Sequence, residues 1–297
     1  MSVIKSNLLL LLVAAIWGLA FVAQKVGMDY VGPFTYNGVR FLLANLSLLP
    51  LLFIFRDKDQ PLSKGLKNTA LPGLIAGTVL FIATSFQQVG LVTTTAGKAA
   101  FITGLYLVLV PVLGIFLRYK VAGATWMGCI LAVTGLYFLC IKESMSIQYG
   151  DMLELISAFF WAFHILVIGH FSRRVNVVQL SWLQILTCSI LSLVTAVFTE
   201  TIVISSLVAA AVPIVYGGVC SVGIAYTLQI LGQKHAPPAH AAIILSMETV
   251  FAAIGGFVLI GEKMGGQEIF GCALMLSGML VSQLFSLRVG KDAMVGS

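Results

Sequence analysis

Ten runs of about 20 mostly apolar residues follow one another along the 297-residue chain. A helix needs roughly 20 apolar residues to cross the hydrocarbon core of a bilayer, which is about 30 Å thick. Each run therefore has the length of one transmembrane helix, and we number the predicted spans 1 to 10. The pattern predicts an all-α integral membrane protein with ten transmembrane helices. The predicted spans are 7–27, 33–55, 70–91, 96–117, 122–141, 151–170, 178–199, 208–231, 239–260 and 266–286.

The composition excludes several classes of protein. Of the residues, 59% are hydrophobic and only 9% are charged, whereas a soluble domain has about 25% charged residues. The net charge of +6 is spread over short loops, so we predict no nucleic-acid partner. The five cysteines lie inside apolar runs without a CxxC pair or metal-ligand spacing. We therefore predict no metal and no cofactor and, because no catalytic motif such as HExxH or GxSxG is present, no enzyme.

The distribution of Lys and Arg predicts the orientation. With a cytoplasmic N-terminus, the loops on the cytoplasmic side contain twelve of these residues and those on the outer side contain three. Positive loops favour the cytoplasm, so we expect both termini there and the protein in the cytoplasmic (inner) membrane. Lys5 precedes an apolar stretch that is longer than the core of a signal peptide, so we expect span 1 to be a membrane helix.

The two halves of the chain are similar at an almost constant offset. Trp17 matches Trp161 at an offset of 144, and Gln87 matches Gln229 at 142. Other matches at 142 and 143 are Ala83 with Ala225, Gly90 with Gly232, Ala99 with Ala241, Ile102 with Ile244, Gly128 with Gly271 and Gly135 with Gly278. This order indicates a duplication, with repeats at 1–145 (spans 1–5) and 146–297 (spans 6–10) in one membrane domain. Because five is odd, the second repeat must be inverted, an arrangement common in secondary transporters.

Four segments resemble a known family. They are AAIWGLAFVAQKVG (14–27), GVRF (38–41), TTAGKAAFITGLYLVLVPVLG (94–114) and HAAIILSMETVFAAIGGFVLIGEK (240–263). Together with the five-plus-five layout, they resemble the drug/metabolite transporter superfamily, specifically its EamA-type members. The resemblance implies a carrier with a central cavity lined by both repeats. Relatives in this superfamily are associated with amino acids, sugars, nucleotide sugars and toxic cations.

Glu248 is the first candidate site residue. An ionisable group at the bilayer centre costs about 2.5–3.5 kcal/mol on insertion scales. Glu248 lies about 14 Å along span 9, close to the midplane, where a carboxyl group can carry a proton or face a substrate cation. The alternative is a structural carboxyl group that is hydrogen-bonded within the bundle. Tyr106 occupies the matching position in span 4.

Three further candidates are the basic residues Lys98, His240 and Arg40, which lie within predicted spans. Lys98 and its repeat mate His240 are shallow on opposite sides, and we interpret them as one entrance group for each gate or as interfacial side chains that snorkel. Arg40 lies about seven residues into span 2. Its planar guanidinium group can donate two hydrogen bonds to a substrate carboxylate. The alternative is a structural role, in which Arg40 stabilises the outer end of the helix bundle. Its mate Gln184 is neutral, so symmetry does not decide between these roles.

The remaining candidates are neutral polar and aromatic residues. His164 lies in the middle of span 6, with a site role or a packing role. Gln87 and Gln229 match across the repeats and can contact substrate or join helices. The matched Trp17 and Trp161 are candidates for the cavity wall. The other candidate wall residues are the aromatic Phe21, Tyr36, Phe86 and Tyr226, and the alternative for all of these aromatic residues is packing or lipid contact.

Pro111 predicts a kink in span 4, because proline removes a helical hydrogen bond. Its repeat mate Ala253 introduces no such break. We therefore expect the two halves to bend differently.

These features favour a secondary-active transporter that moves a small polar metabolite, such as an amino acid or a related compound, by alternating access, with export as the expected direction. Its expected partners are that small molecule, membrane lipid and, as a coupling ion, protons. The alternatives are an uncoupled facilitator or channel and an exchanger of sugars or nucleotide sugars. An intramembrane enzyme is a further class, for which Glu248 and His164 form only a loose couple.

Overall fold

The computed structural model describes residues 3–55, 61–94, 96–118, 121–140, 148–255, 258 and 265–295. Within these ranges, the side chains of residues 97, 98, 139, 140, 268 and 283–295 are not described. Helices account for nearly all of the described chain, and these ranges contain no strand.

The ten spans keep the predicted order. Those of the first half are Val3–Gly27, Pro33–Ile54, Leu62–Thr93, Ala96–Gly104 continued by Tyr106–Phe116, and Gly123–Cys140. Those of the second half are Tyr149–Phe171, Val177–Thr199, Ala211–Gln233, Pro238–Leu245 continued by Glu248–Gly255, and Gly266–Val295. A short helix, Ile204–Ala209, precedes span 8.

The spans have the length and composition of membrane helices. Eight described helices are long and apolar enough to cross a bilayer, and spans 5 and 10 contribute the shorter apolar stretches Gly123–Phe138 and Ile269–Ser282. Large apolar side chains are exposed on the outside of the bundle, such as Phe116 at 80% and Phe198 at 84%, as expected for lipid contact. The predicted all-α, ten-helix membrane fold is confirmed.

Two predicted boundaries differ by eight or more residues: span 3 begins earlier, and span 10 continues to Val295, nine residues past the predicted end at 286. Span 3 begins at Leu62, eight residues before the predicted start at 70, because a helix can continue into water past its apolar part. The added residues include Lys64 and Lys67. Span 9 was predicted to reach 260, and most of the residues after Gly255 lie outside the described ranges, as does the predicted repeat boundary near 145.

Span 4 and span 9 are both interrupted, at equivalent positions. Span 4 breaks at Leu105, and span 9 breaks at Ser246 and Met247, which is 142 residues after Leu105. Both halves therefore have an interrupted span at this position, and the expected kink at Pro111 stays a prediction. Pro111 lies inside the continuous segment Tyr106–Phe116, six residues after the break, so the break is not at the predicted kink.

The carbonyl group that Pro111 leaves without its helical donor still has a partner. Proline has no N–H to donate to the residue four positions earlier, which here is Leu107. The thiol of Cys129 in span 5 donates to the Leu107 carbonyl oxygen at 3.5 Å. This contact from span 5 lets span 4 contain a proline without an interruption at that point.

Span 8 contains a π-helical segment, Tyr216–Ile224, a rare form that is frequent at functional sites. Its glycines allow close contact with span 2, since a Cβ atom at Gly218 would lie 2.8 Å from the Arg40 carbonyl oxygen. The wider turn also leaves the Ser221 carbonyl oxygen available to the indole Nε1 of Trp17, which donates to it at 2.9 Å.

The core joins all ten spans. One apolar cluster includes buried residues from every span; one example from each is Leu10, Phe41, Leu80, Tyr106, Cys129, Trp161, Ile185, Val222, Ile243 and Met275. Spans 5 and 10 pack most closely through glycines. A Cβ atom at Gly128 would lie 2.8 Å from the Gly278 carbonyl oxygen, and one at Gly278 would lie 2.6 Å from that of Gly128. Small residues let membrane helices approach in this way.

Two helix contacts between the halves involve equivalent residues. In one, a Cβ atom at Gly90 of span 3 would lie 2.9 Å from the Glu154 carboxyl group of span 6. In the other, a Cβ atom at Gly232 of span 8 would lie 2.8 Å from the Leu10 side chain of span 1. The glycines are 142 residues apart, and Leu10 and Glu154 are 144 apart. The two contacts lie near opposite ends of the bundle, as inverted repeats require.

Candidate functional site

A central cavity lies between the two halves of the chain. It encloses about 470 Å³ of empty space, counting the open space at its mouth. Spans 1 to 4 of the first half and spans 6, 8 and 9 of the second form its wall. The predicted site residues in this wall are Trp17, Arg40, Gln87, Tyr106, Trp161, Gln229 and Glu248.

Glu248 and Tyr106 meet in the cavity wall. The Tyr106 hydroxyl group donates to Glu248 Oε1 at 3.1 Å, and both side chains are almost fully buried. Each is the first residue of the helical segment after the break in its span. A carboxylate is favoured at a helix N-terminus by the helix dipole. The two breaks therefore place a pair of repeat mates side by side at the centre of the molecule.

Three aromatic rings form one side of the cavity. The ring centroid of Trp17 lies 5.0 Å from that of Tyr226 and 6.3 Å from that of Trp161. Trp161 and Tyr226 are stacked, with centroids 6.2 Å apart. This wall offers aromatic ring surfaces to a bound molecule, with the Trp17 ring tilted against the other two, and Phe21 also lines the cavity.

Arg40 contributes a positive charge to the cavity. Its Nε donates to Asn37 Oδ1 at 3.0 Å, and its guanidinium group lies 5.2 Å and 5.1 Å from the ring centroids of Tyr36 and Phe41. Because none of these partners is a carboxylate, they orient the guanidinium group without neutralising it. The hydrogen bond uses Nε and leaves the two terminal nitrogens for other partners.

Several polar atoms in the cavity wall have no hydrogen-bond partner among the described residues. They are both amide atoms of Gln229, Oε1 of Gln24 and the indole Nε1 of Trp161. Leaving a buried polar atom unpaired costs about 1–3 kcal/mol, and most such atoms in proteins are paired. Atoms of this kind at the edge of a cavity are suited to bind a polar molecule inside it.

The comparisons with known proteins agree with this geometry. The model of the EamA-like transporter family matches residues 4–141 and again residues 148–283. The chain belongs to this family. It is a membrane transporter.

Two relatives and one solved structure show the extent of the similarity. A transporter of Archaeoglobus fulgidus described as uncharacterized is 35% identical over 293 residues, covering 96% of this chain and 86% of its own length. A probable amino-acid metabolite efflux pump of Escherichia coli (strain K12) is 27% identical over 318 residues, covering 99% of both. A crystal structure matches with a TM-score of 0.78 at 17% identity, covering 96% of this chain and 98% of that one.

His164 does not line the cavity of this EamA-like transporter. Its Nε2 donates to Gln184 Oε1 at 3.0 Å, and its ring meets Trp161 and Tyr226 edge-on, at 5.8 Å and 6.2 Å between centroids. It is fully buried behind the aromatic wall. Its site role and its packing role both stay predictions. Gln184, the repeat mate of Arg40, orients His164 and not a cavity group.

His240 is buried away from the cavity and joins three spans. Its Nε2 donates to Asn7 Oδ1 of span 1 at 3.2 Å, and its Nδ1 lies 2.9 Å from the Ser282 hydroxyl group of span 10. With 2% of its surface exposed, it does not snorkel. Its gate role stays a prediction. The side chain of its mate Lys98 lies outside the described part of the chain.

Some wall residues differ from the prediction. Phe21 and Tyr226 line the cavity as expected, whereas Tyr36 and Phe86 do not. Four further residues that were not predicted also line it: Gln24, Thr103, Ile165 and Ser221. A signal for Thr103 was present, because it precedes Tyr106 by three residues and so shares its helix face.

A buried carboxyl group behind the wall was also missed. Glu154 has no exposed surface, and its Oε2 accepts a hydrogen bond from the Thr103 hydroxyl group at 2.9 Å. Its position inside predicted span 6 was the signal, since ionisable residues within a span are functional candidates.

Proposed function

We propose that this EamA-like transporter is a secondary-active carrier that exports an amino acid or a related small polar metabolite by alternating access. It moves its substrate without changing it, from a cytoplasmic membrane in which both chain termini face the cytoplasm. The observation that carries the proposal is the central cavity, in which Glu248 and Arg40 supply opposite charges beside unpaired polar atoms.

This arrangement suits a zwitterion. The amino group of an amino acid fits the Glu248 carboxylate, and its carboxylate fits the guanidinium fork of Arg40. The Gln229 amide, which has no described partner, can pair with either end. The side chain of the amino acid then lies against the aromatic wall of Trp17 and Tyr226. The name of the Escherichia coli relative, a probable amino-acid metabolite efflux pump, supports the same class of substrate.

The equivalent contacts at the two ends of the bundle support alternating access. The contact of Gly90 with Glu154 and that of Gly232 with Leu10 involve the same pair of repeat positions. If one contact opens while the other stays closed, the two conformations are related by the symmetry of the inverted repeats. A channel would need both ends open together.

Counterflow in proteoliposomes tests this function. The purified transporter is reconstituted, vesicles are loaded with one unlabelled L-amino acid at a time, and uptake of the same labelled amino acid is measured. We expect uptake that depends on the internal amino acid, for at least one member of the panel. Conductance without exchange would indicate a channel, and a chemically changed product would indicate an enzyme. Either result, or no exchange of any amino acid by folded protein, would contradict the proposal.

A further inference from the structure

Glu154 is a second buried carboxyl group, separate from Glu248. It lies in the second turn of span 6, and its side chain fits between Gly90 of span 3 and Thr103 of span 4. It does not line the cavity, but Thr103 does. Thr103 therefore contacts both this carboxyl group and the central cavity.

Among the described side chains, none that contacts Glu154 carries a positive charge. Thr103 binds Oε2, whereas Oε1 is buried and has no partner among the described residues. Span 3 contributes the uncharged Gly90 at this point. The nearby Asp151, one turn earlier in span 6, has the same sign of charge as Glu154. A buried carboxylate with one hydrogen bond and no cation is costly, and such a group becomes neutral by binding a proton.

Among the described side chains at this end of the bundle, Lys25 is the cation near Glu154, and the side chain of Lys98 in the first segment of span 4 is outside the described part of the chain. Lys25 of span 1 donates to the carbonyl oxygens of Leu91 at 2.7 Å and Thr94 at 3.1 Å. It is thus bound to the connection between spans 3 and 4 and not to Glu154. The hydroxyl group of Thr94 in turn donates to Asp151 at 2.8 Å.

The interruption of span 4 lies between the contacts of the two carboxyl groups. Thr103 binds Glu154, and Tyr106 binds Glu248. Leu105, where the helix is broken, lies between them. A change in the Thr103 contact can therefore move the first segment of span 4, Ala96–Gly104, relative to the segment that begins at Tyr106.

We propose that Glu154 is a proton-binding site that couples a proton to the opening of the end of the bundle where span 6 begins. The ionised carboxylate accepts the Thr103 hydroxyl hydrogen and holds the first segment of span 4 against span 6. One proton from solution adds to Oε1, the oxygen atom without a partner, and neutralises the group, which weakens the Thr103 hydrogen bond. Release of the same proton restores it. This inference rests on the proposed function for its role in transport, although proton binding itself does not.

The opposite half supplies a variant that should fold. Leu10 packs against Gly232 as Glu154 packs against Gly90, so Glu154→Leu places an apolar side chain in a setting that the chain already uses. Glu154→Gln retains an acceptor for Thr103. Asp29→Asn is the control, because Asp29 is exposed in the turn between spans 1 and 2.

Infrared difference spectroscopy of the protein in lipid, titrated over the pH range in which it stays folded, detects the site without any substrate. We expect a carbonyl band of a protonated carboxylic acid that appears as pH falls. Its intensity should fall in Glu154→Gln and Glu154→Leu, where Glu248 remains as the other buried carboxyl group of the wall region, and should be unchanged in Asp29→Asn. A wild-type band unchanged by either Glu154 substitution would overturn the proposal. So would an ionised Glu154 at every pH whose carboxylate band responds to added Na⁺, because a metal cation would then replace the proton.

Transport gives the second measurement. For an amino acid that the wild type exchanges, a pH gradient should drive accumulation in wild type and in Asp29→Asn, but not in Glu154→Gln. Counterflow without a gradient should continue in all three. Gradient-driven accumulation by Glu154→Gln would overturn the coupling role. If the wild type exchanges no amino acid, the proposed function fails, and the infrared result alone decides whether Glu154 binds a proton.

Discussion

Glu248→Gln should reduce amino-acid counterflow by roughly 10- to 100-fold while the protein still folds. A hydrogen bond to a charged group contributes about 1.5–3 kcal/mol, and 1.4 kcal/mol corresponds to a factor of ten. In the wild type, the Tyr106 hydroxyl group donates to Glu248 Oε1, and the glutamine amide oxygen can still accept this hydrogen bond. The substitution removes the negative charge that we expect to bind the substrate amino group. Initial rates of counterflow in proteoliposomes measure the effect.

Two controls separate charge from packing. Tyr106→Phe removes the hydrogen bond and keeps the carboxyl group, so it should have a smaller effect than Glu248→Gln. Asp29→Asn removes an exposed carboxylate and should leave the rate unchanged. Wild-type counterflow by a folded Glu248→Gln protein would show that this carboxyl group is structural.

Gly18→Val should lower the midpoint of thermal unfolding by roughly 5–10 °C, because overpacking typically costs about 1–3 kcal/mol. A Cβ atom at Gly18 would lie 2.6 Å from the Glu248 carbonyl oxygen, 2.7 Å from Phe251 Cβ and 2.8 Å from the Ala252 backbone nitrogen. Two of these atoms are backbone, so no side-chain rotation relieves the contact. Spans 1 and 9 must separate, which displaces Glu248 and should also reduce counterflow.

The matched control is Gly123→Val at the start of span 5. No atom lies within 4 Å of a Cβ atom at Gly123, so this substitution adds the same side chain without the close contact. Its unfolding midpoint should stay near that of the wild type. Equal midpoints for the two variants would contradict the close packing of spans 1 and 9.

The fold was predictable because apolar length is a direct signal. Ten apolar runs and an odd number of spans in each repeat were sufficient for the inverted layout. The breaks in spans 4 and 9 were not predictable from Pro111, since the break occurs at Leu105 and recurs at Met247 in a half without the proline. The π-helical segment of span 8 left no sequence signal that we recognised.

Site residues were predictable where their depth within a span or their duplication in both repeats identified them. The depth of Glu248 and the duplication of Gln87 as Gln229 placed candidates that the structure brings into one wall. His164 lies at a similar depth, but the rotation of span 6 about its own axis decides whether its side chain faces the cavity. In the structure it packs against Trp161 and Tyr226, behind the aromatic rings. Glu154 was overlooked because it lies near a span end, although packing against Gly90 buries it completely.

The most direct test of the whole account is to cross-link each end of the bundle separately in a background without native cysteines. Leu10→Cys with Gly232→Cys joins one end, and Thr93→Cys with Gly150→Cys joins the other, where a Cβ atom at Gly150 would lie 2.5 Å from the Thr93 hydroxyl oxygen. If access alternates between two ends, either disulfide alone should abolish amino-acid counterflow, and reduction should restore it. If counterflow with either end cross-linked is as fast as it is after the disulfide has been reduced, alternating access through the central cavity is contradicted.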